Sequence, residues 1–350
     1  MPSRPTDRAQ AAFKIRPGMT VAVRSGSEIR ATLDAGDTLD GLPFTREMCE
    51  FCDRSFTVAR SVNRIFVEGH GVRRIDGTVV LRDVRCDGAA HGGCQRMCLF
   101  LFKEAWLKPI AKRRETGFVE HESRPVTPSL ALDDDLEPCQ GQAVALLKAT
   151  RPLPRTNIRQ YVQDLSSGTL THRQFLCMLL FVFNKRWDVQ QPIWDLRPET
   201  LAPRELVRVL RFLIASNVNS QASVYTQSAA YHDNPCHEQR AKDPAAGRLG
   251  LEPGEIVEVR TRNEILATLN SKGRNRGLSF VGSMLKYCGG TFRVLARPGR
   301  AIDEKTGKLR DVRDAVLLEN IVCDGISYQG CPRRCYWFWR EAWLKRVGAA

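Results

Sequence analysis

The sequence predicts an α+β protein: two homologous small β-barrel-like modules, each closed by a C-terminal helix and a four-cysteine site, joined by a helical connector. Three observations point there. One long stretch of sequence occurs twice, four cysteines recur at matching places in both copies, and the block between them carries apolar residues at helical spacing.

The duplication is a matter of register. From Pro17 to Cys52 the first copy matches Pro253 to Cys288 at a constant offset of 236. Val21-x-Val23-Arg24 returns as Val257-x-Val259-Arg260, and Gly41-Leu42-x-Phe44 as Gly277-Leu278-x-Phe280. After a single slip the offset becomes 237. Cys86-Asp87-Gly88 then matches Cys323-Asp324-Gly325, and Glu104-Ala105-Trp106-Leu107-Lys108 matches Glu341-Ala342-Trp343-Leu344-Lys345. Agreement of this length with one slip marks an internal repeat. The slip sets Glu68-Gly69-His70-Gly71 against Asp303-Glu304-Lys305-Thr306-Gly307-Lys308, between alternating apolar segments. That pattern belongs to a hairpin whose tip tolerates insertion.

Each element follows from local pattern. Pro-Gly-x-x-Val-x-Val and the short alternating segments after it predict a small, partly open β-barrel. Leu99-Phe100-Leu101-Phe102 and Tyr336-Trp337-Phe338-Trp339 are apolar on every side, which predicts a buried helix ending each module. Residues 142–150 and 204–216 have helical spacing. Thr171-x-x-Gln174 has the form of a capping box opening a helix over 172–184. The chain thus divides into module 1 (15–112), an acidic linker (113–138), a helical connector domain (139–230), a second linker (231–250) and module 2 (251–347).

Twelve cysteines sort by whether they repeat. Cys52, Cys86, Cys94 and Cys98 recur as Cys288, Cys323, Cys331 and Cys335; Cys49, Cys139, Cys177 and Cys236 do not. With no apolar leader at the N-terminus the expected compartment is the reducing cytoplasm, where clustered thiols read as metal ligands before disulfides. Four thiolates suit a tetrahedral zinc ion and also a [4Fe-4S] cluster. The expectation is therefore two metal sites, holding two zinc ions, with iron–sulfur clusters as the alternative; buried free thiols or regulated disulfides are the remaining possibility. Cys-x2-Cys pairs, the usual zinc spacing, are missing from the repeated set, whereas a trio with one remote ligand is an iron–sulfur layout.

Other candidates are fewer. Cys49-x-x-Cys52 has redox spacing, but Leu285 stands at the position matching Cys49. His91 is the one acid–base candidate inside a module, and its counterpart is Tyr328. Asp87 and Asp324 sit beside the first cysteine of each trio, where capping a turn is the simplest role. Arg85, Arg96, Arg333 and Arg334 flank the thiols and would offset their charge. No nucleophile elbow, phosphate-binding glycine loop or His-Glu-x-x-His helix occurs, so no catalytic residue is assigned.

The net charge of +14 points to an anionic partner, nucleic acid or protein. Module 2 holds +7 (18 basic against 11 acidic residues) and module 1 +3 (15 against 12). Arg274, Arg276, Arg293, Arg297, Arg300, Arg310 and Arg313 are the expected phosphate contacts. No apolar run approaches the roughly eighteen residues of a membrane span. The functional expectation is a metal-binding, non-enzymatic binding or scaffold protein; an iron–sulfur or thiol-dependent enzyme in a biosynthetic or redox step is the alternative.

Overall fold

The computed structural model describes residues 15–110, 141–153, 158–166, 247–325, 328 and 330–347. Module 1 begins with β1 (Thr20–Val23), α1 (Gly26–Arg30), β2 (Thr38–Leu39), β3 (Leu42–Pro43) and a 3₁₀ helix (Arg46–Phe51). The long hairpin β4 (Ser55–Val67) and β5 (Gly71–Arg85) follows, then β6 (Leu99–Lys103) and β7 (Leu107–Pro109). The connector contributes α2 (Gly141–Ala145), β8 (Arg151–Pro152) and α3 (Ile158–Ser166). Module 2 repeats the set as β9 (Ile256–Val259), α4 (Arg262–Leu266), β10 (Arg274–Asn275), β11 (Leu278–Ser279) and a 3₁₀ helix (Gly282–Tyr287). It continues with β12 (Thr291–Ala296), β13 (Arg300–Ile302), β14 (Leu309–Asp311), β15 (Ala315–Leu318), β16 (Trp339–Arg340) and β17 (Leu344–Arg346).

Equivalent strands take equivalent places. The main sheet of module 1 is ordered β6-β5-β4-β1-β7 and that of module 2 β16-β15-β12-β9-β17. Register repeats too: Val21 faces Phe56 as Val257 faces Phe292, and Val23 faces Leu107 as Val259 faces Leu344. Each module opens its first helix with a capping box, Ser25 with Glu28 and Thr261 with Glu264, which satisfies otherwise orphaned N–H groups. Each buries an equivalent tryptophan completely, Trp106 and Trp343, and module 2 buries Trp339 as well. The indole N–H of Trp106 donates to Thr32 Oγ1 at 3.1 Å, and that of Trp343 to Thr268 Oγ1 at 3.0 Å. Phe44 and Phe280 meet these rings edge-on, both at 5.2 Å between centroids.

Three parts of the expected fold are corrected. The sheets are open rather than closed into barrels. β6 and β7 occupy opposite edges, yet only Glu104–Trp106 separates them. Four residue steps reach at most about 14 Å, whereas the edges of a flat five-stranded sheet lie roughly 19 Å apart. The sheet must curl, but no ladder joins its edges. No C-terminal helix closes either module: Leu99–Lys103 pairs with β5 as a strand, and Trp339 pairs with Val316. A short run apolar on both faces serves a doubly buried strand as well as a buried helix, and five residues are too few for the latter. Finally, the described part of the connector holds no helical domain. It forms two short helices and β8, which extends the module 1 sheet by pairing with β5. The helices expected over 172–184 and 204–216 lie outside the described residues.

The modules face each other with approximate two-fold symmetry. The backbone N–H of Phe66, at the tip of the module 1 hairpin, donates to Cys331 Sγ at 3.4 Å. The N–H of Ile302, 236 positions later, donates to Cys94 Sγ at 3.3 Å. Each hairpin thus reaches into the cysteine loop of the other module. Cys331 and Tyr328 consequently pack into the core of module 1, where Tyr328 meets Phe66 edge-on at 4.8 Å.

Candidate metal centre

The end of β5 delivers Cys86 into a tight loop. Gly88 adopts φ +82°, and a Cβ there would overlap the carbonyl oxygen of Cys94, so this turn requires glycine. Asp87 Oδ1 accepts the N–H of Ala89 at 2.9 Å and so caps the turn. One 3₁₀ turn, Ala89–His91, then carries His91 back beside Cys86. Glu47 arrives from a different element, the 3₁₀ helix over Arg46–Phe51.

The three side chains converge. Cys86 Sγ donates to Glu47 Oε2 at 3.0 Å, His91 Nε2 lies 3.4 Å from the same oxygen, and the N–H of Ala90 donates to Glu47 Oε1 at 2.7 Å. All are buried, and their ligand atoms lie within 4.8 Å of one another. Burial pushes the Glu47 carboxyl up, but hydrogen bonds from His91, Cys86 and Ala90 outweigh it and hold the pKa at about 2. Burial raises the Cys86 thiol, with His91 opposing and Glu47 reinforcing. One Glu47 oxygen reaches both the sulfur and the imidazole, and His91 also hydrogen-bonds the Cys86 thiol, so the three groups form a closed set in which each faces the other two.

A cavity of about 40 Å³ adjoins the cluster. Cys86, His91, Cys94, Cys98, Phe100 and Leu146 are among its lining, and Ile302 and Arg333 enter from module 2. The connector covers it. Gln142 Oε1 accepts the N–H of Leu101 at 2.8 Å, and a Cβ on Gly141 would stand 3.3 Å from the His91 ring.

Of the repeated cysteines, Cys323, Cys331 and Cys335 neighbour one another in module 2. Among the described residues, Glu47, Cys86 and His91 form the one set of three or more acidic, histidine or cysteine ligand atoms that close together, so no three of the eight sulfurs do. Cys94 and Cys331 accept hydrogen bonds across the module interface. Cys98 lies 4.0 Å from Arg333 Nη2, and burial raises its thiol to about 12. Cys335 neighbours Cys98 across the seam. Cys323 Sγ accepts the N–H of Gly325 at 3.3 Å. Cys52 and Cys288 are half-buried at the ends of their 3₁₀ helices, packed against the two cores. Cys49 is half-buried beside Cys52, while Cys139, Cys177 and Cys236 lie outside the described residues.

Module 2 keeps Cys323 but has Ser283 for Glu47 and Tyr328 for His91. The Ser283 hydroxyl is buried without a hydrogen-bond partner. Glu47 escaped the sequence reading because ligands were sought among residues that repeat. His91 was visible as an acid–base candidate, five positions after Cys86.

Five of the seven arginines expected to contact phosphate stand within salt-bridge distance of a carboxylate. Arg276 pairs with Asp314, Arg293 with Glu319, Arg297 with Glu252, Arg300 with Asp311 and Arg310 with Asp303. Among the described residues no helix is long and apolar enough to cross a membrane. Comparison with known protein families, curated proteins and solved structures finds no match to this chain.

Proposed function

We propose that this is a metal-binding protein with one centre, in module 1, formed by Cys86, His91 and Glu47. The observation behind it is the convergence of three buried side chains, each with one sulfur, nitrogen or oxygen ligand atom, on a common point. The donor set suits zinc. Bond lengths of about 2.3 Å to sulfur and 2.0–2.2 Å to nitrogen and oxygen imply ligand separations of roughly 3.4–3.6 Å in a tetrahedron. The observed 3.0 and 3.4 Å need little adjustment. Bound there, a divalent ion would act as a Lewis acid. The protein's part is to present the thiol, imidazole and carboxylate, to fix Glu47 through the Ala90 N–H, and to keep bulk water out.

The two-site expectation becomes a one-site proposal because module 2 lacks two of the three ligands. Module 2 acts instead as a wall, contributing Ile302 and Arg333. Metal analysis of the purified full-length chain tests this. One equivalent of zinc is expected, lost in Cys86→Ser and His91→Ala and retained in Cys323→Ser. Two equivalents, or a centre indifferent to His91→Ala, would refute it in favour of the cysteine quartets.

A further inference from the structure

The seam between the modules carries more positive charge than its carboxylates offset. Arg96 and Arg333, equivalent residues of the two copies, share Glu304: Arg333 forks onto it at 2.6 and 2.8 Å, and Arg96 approaches at 3.1 Å. Arg85 stacks over Tyr336 at 4.5 Å and donates to the carbonyl oxygens of Met97 and Arg334. Arg60 is buried near Arg334, and burial together with that neighbour lowers its pKa. Five guanidinium groups and Lys305 thus stand with three carboxylates, Glu304, Glu68 and Asp303. Burial and the proximity of Glu304 raise the pKa of the Glu68 carboxyl.

Two of these arginines, Arg96 and Arg333, line the cavity beside Cys86 and His91. The proposed centre contributes no compensating charge, since a divalent ion with one thiolate, one carboxylate and a neutral imidazole sums to zero. Three protein ligands leave one position of a tetrahedron open. The neighbouring cavity has room for about three waters, at roughly 10–15 Å³ each on this measure. Size and charge together select the occupant.

Resting on the metal centre proposed above, we infer that its open position takes a small monoanion of about three heavy atoms, with Arg333 of module 2 as its counter-ion. The copy that lost its ligands then completes the site of the copy that kept them. Arg333 is placed for this by the Glu304 fork, which fixes its guanidinium at the cavity wall.

Cobalt(II)-loaded full-length protein, titrated separately with azide and formate, reads this through the cobalt d–d absorption. A saturable spectral change is expected with both anions. Because charge-assisted contacts to a guanidinium fork are directional, Arg333→Lys should weaken anion affinity about tenfold or more. The exposed Arg310→Ala should leave it unaltered. A centre that shows its thiolate-to-cobalt band yet ignores both anions would overturn the inference. So would equal responses in wild type and Arg333→Lys, or a thiolate band reduced by Cys98→Ser, which would mean that Cys98 already fills the position. Failure to take up cobalt at all is a different result; it refutes the centre itself and this inference with it.

Discussion

Replacing Glu304 by alanine is expected to destabilise the cysteine loop and hairpin of module 2 where they meet module 1 by about 3 kcal/mol. The loss comes through its fork with Arg333 of the same module and its contact with Arg96 across the seam. Glu304 is 6% exposed and faces Arg333, whose side chain is 11% exposed, and Arg96 at 24%. Burial alone would raise its carboxyl, but the two arginines prevail and hold the pKa near 2 instead of 4.5. At about 1.4 kcal/mol per pH unit this is roughly 3 kcal/mol of interaction. It agrees with the 3–5 kcal/mol typical of leaving a buried charge without its partner. A carboxyl depressed on folding stabilises fully above its unfolded pKa, so the contribution is complete above about pH 4.5 and fades as pH falls towards 2. The amides of Phe66 and Ile302 report on the seam because each donates to a thiol of the opposite module. In Glu304→Ala their hydrogen exchange should accelerate roughly a hundredfold, while amides in the strand cores stay unchanged. Adding Arg333→Met should recover part of the loss. Unchanged protection at Phe66 and Ile302, or equal protection in wild type and variant only at neutral pH, would refute the role given to this carboxylate.

Three further outcomes follow from the same geometry. Rebuilding the ligand set in module 2 with Ser283→Glu and Tyr328→His should raise bound zinc from one equivalent to two; metal content that stays at one would mean the three residue types do not suffice. Gly141→Ala combines φ +57° with a Cβ 3.3 Å from the His91 ring, so chelator competition should show about tenfold weaker metal binding. Gly273→Ala, with φ +65° and open space around it, should cost only about 1 kcal/mol of stability and leave affinity unaltered. Trp106→Phe and Trp343→Phe each remove one indole hydrogen bond and should lower stability by similar amounts, about 1 kcal/mol plus a packing loss. Unequal thermal shifts would show that the two cores differ more than their sequences do.

The repeat, its hairpin tip and the tight turn at Asp87-Gly88 were legible because each rests on local chemistry or on register. The capping boxes were legible in principle, since Ser25-x-x-Glu28 and Thr261-x-x-Glu264 recur at the common offset. The strands at Leu99 and Trp339 were mistaken for helix because an unbroken apolar run has no period to read. The largest gap concerned the thiols. Eight repeated cysteines suggest two identical centres, while repetition by itself reflects whatever both copies need. For Cys94 and Cys331 that need is met by a backbone N–H from the facing hairpin. The cluster residues that distinguish module 1, Glu47 and His91, are those that do not repeat, and Glu47 reaches Cys86 from 39 positions away through a 3₁₀ helix. No spacing rule links them.

Two identical chains meeting about an axis would repeat every substitution on both sides of it. Here both halves belong to one polypeptide, so position 47 can hold a glutamate while its counterpart 283 holds a serine. The position that carries His91 in one half carries Tyr328 in the other, where the ring packs against Phe66 of module 1, so the same divergence that separates the two halves chemically also helps hold them together. A centre lined on one face by its own module and on the other by a changed sister is therefore open to a fused pair. A symmetric assembly has no means of making it.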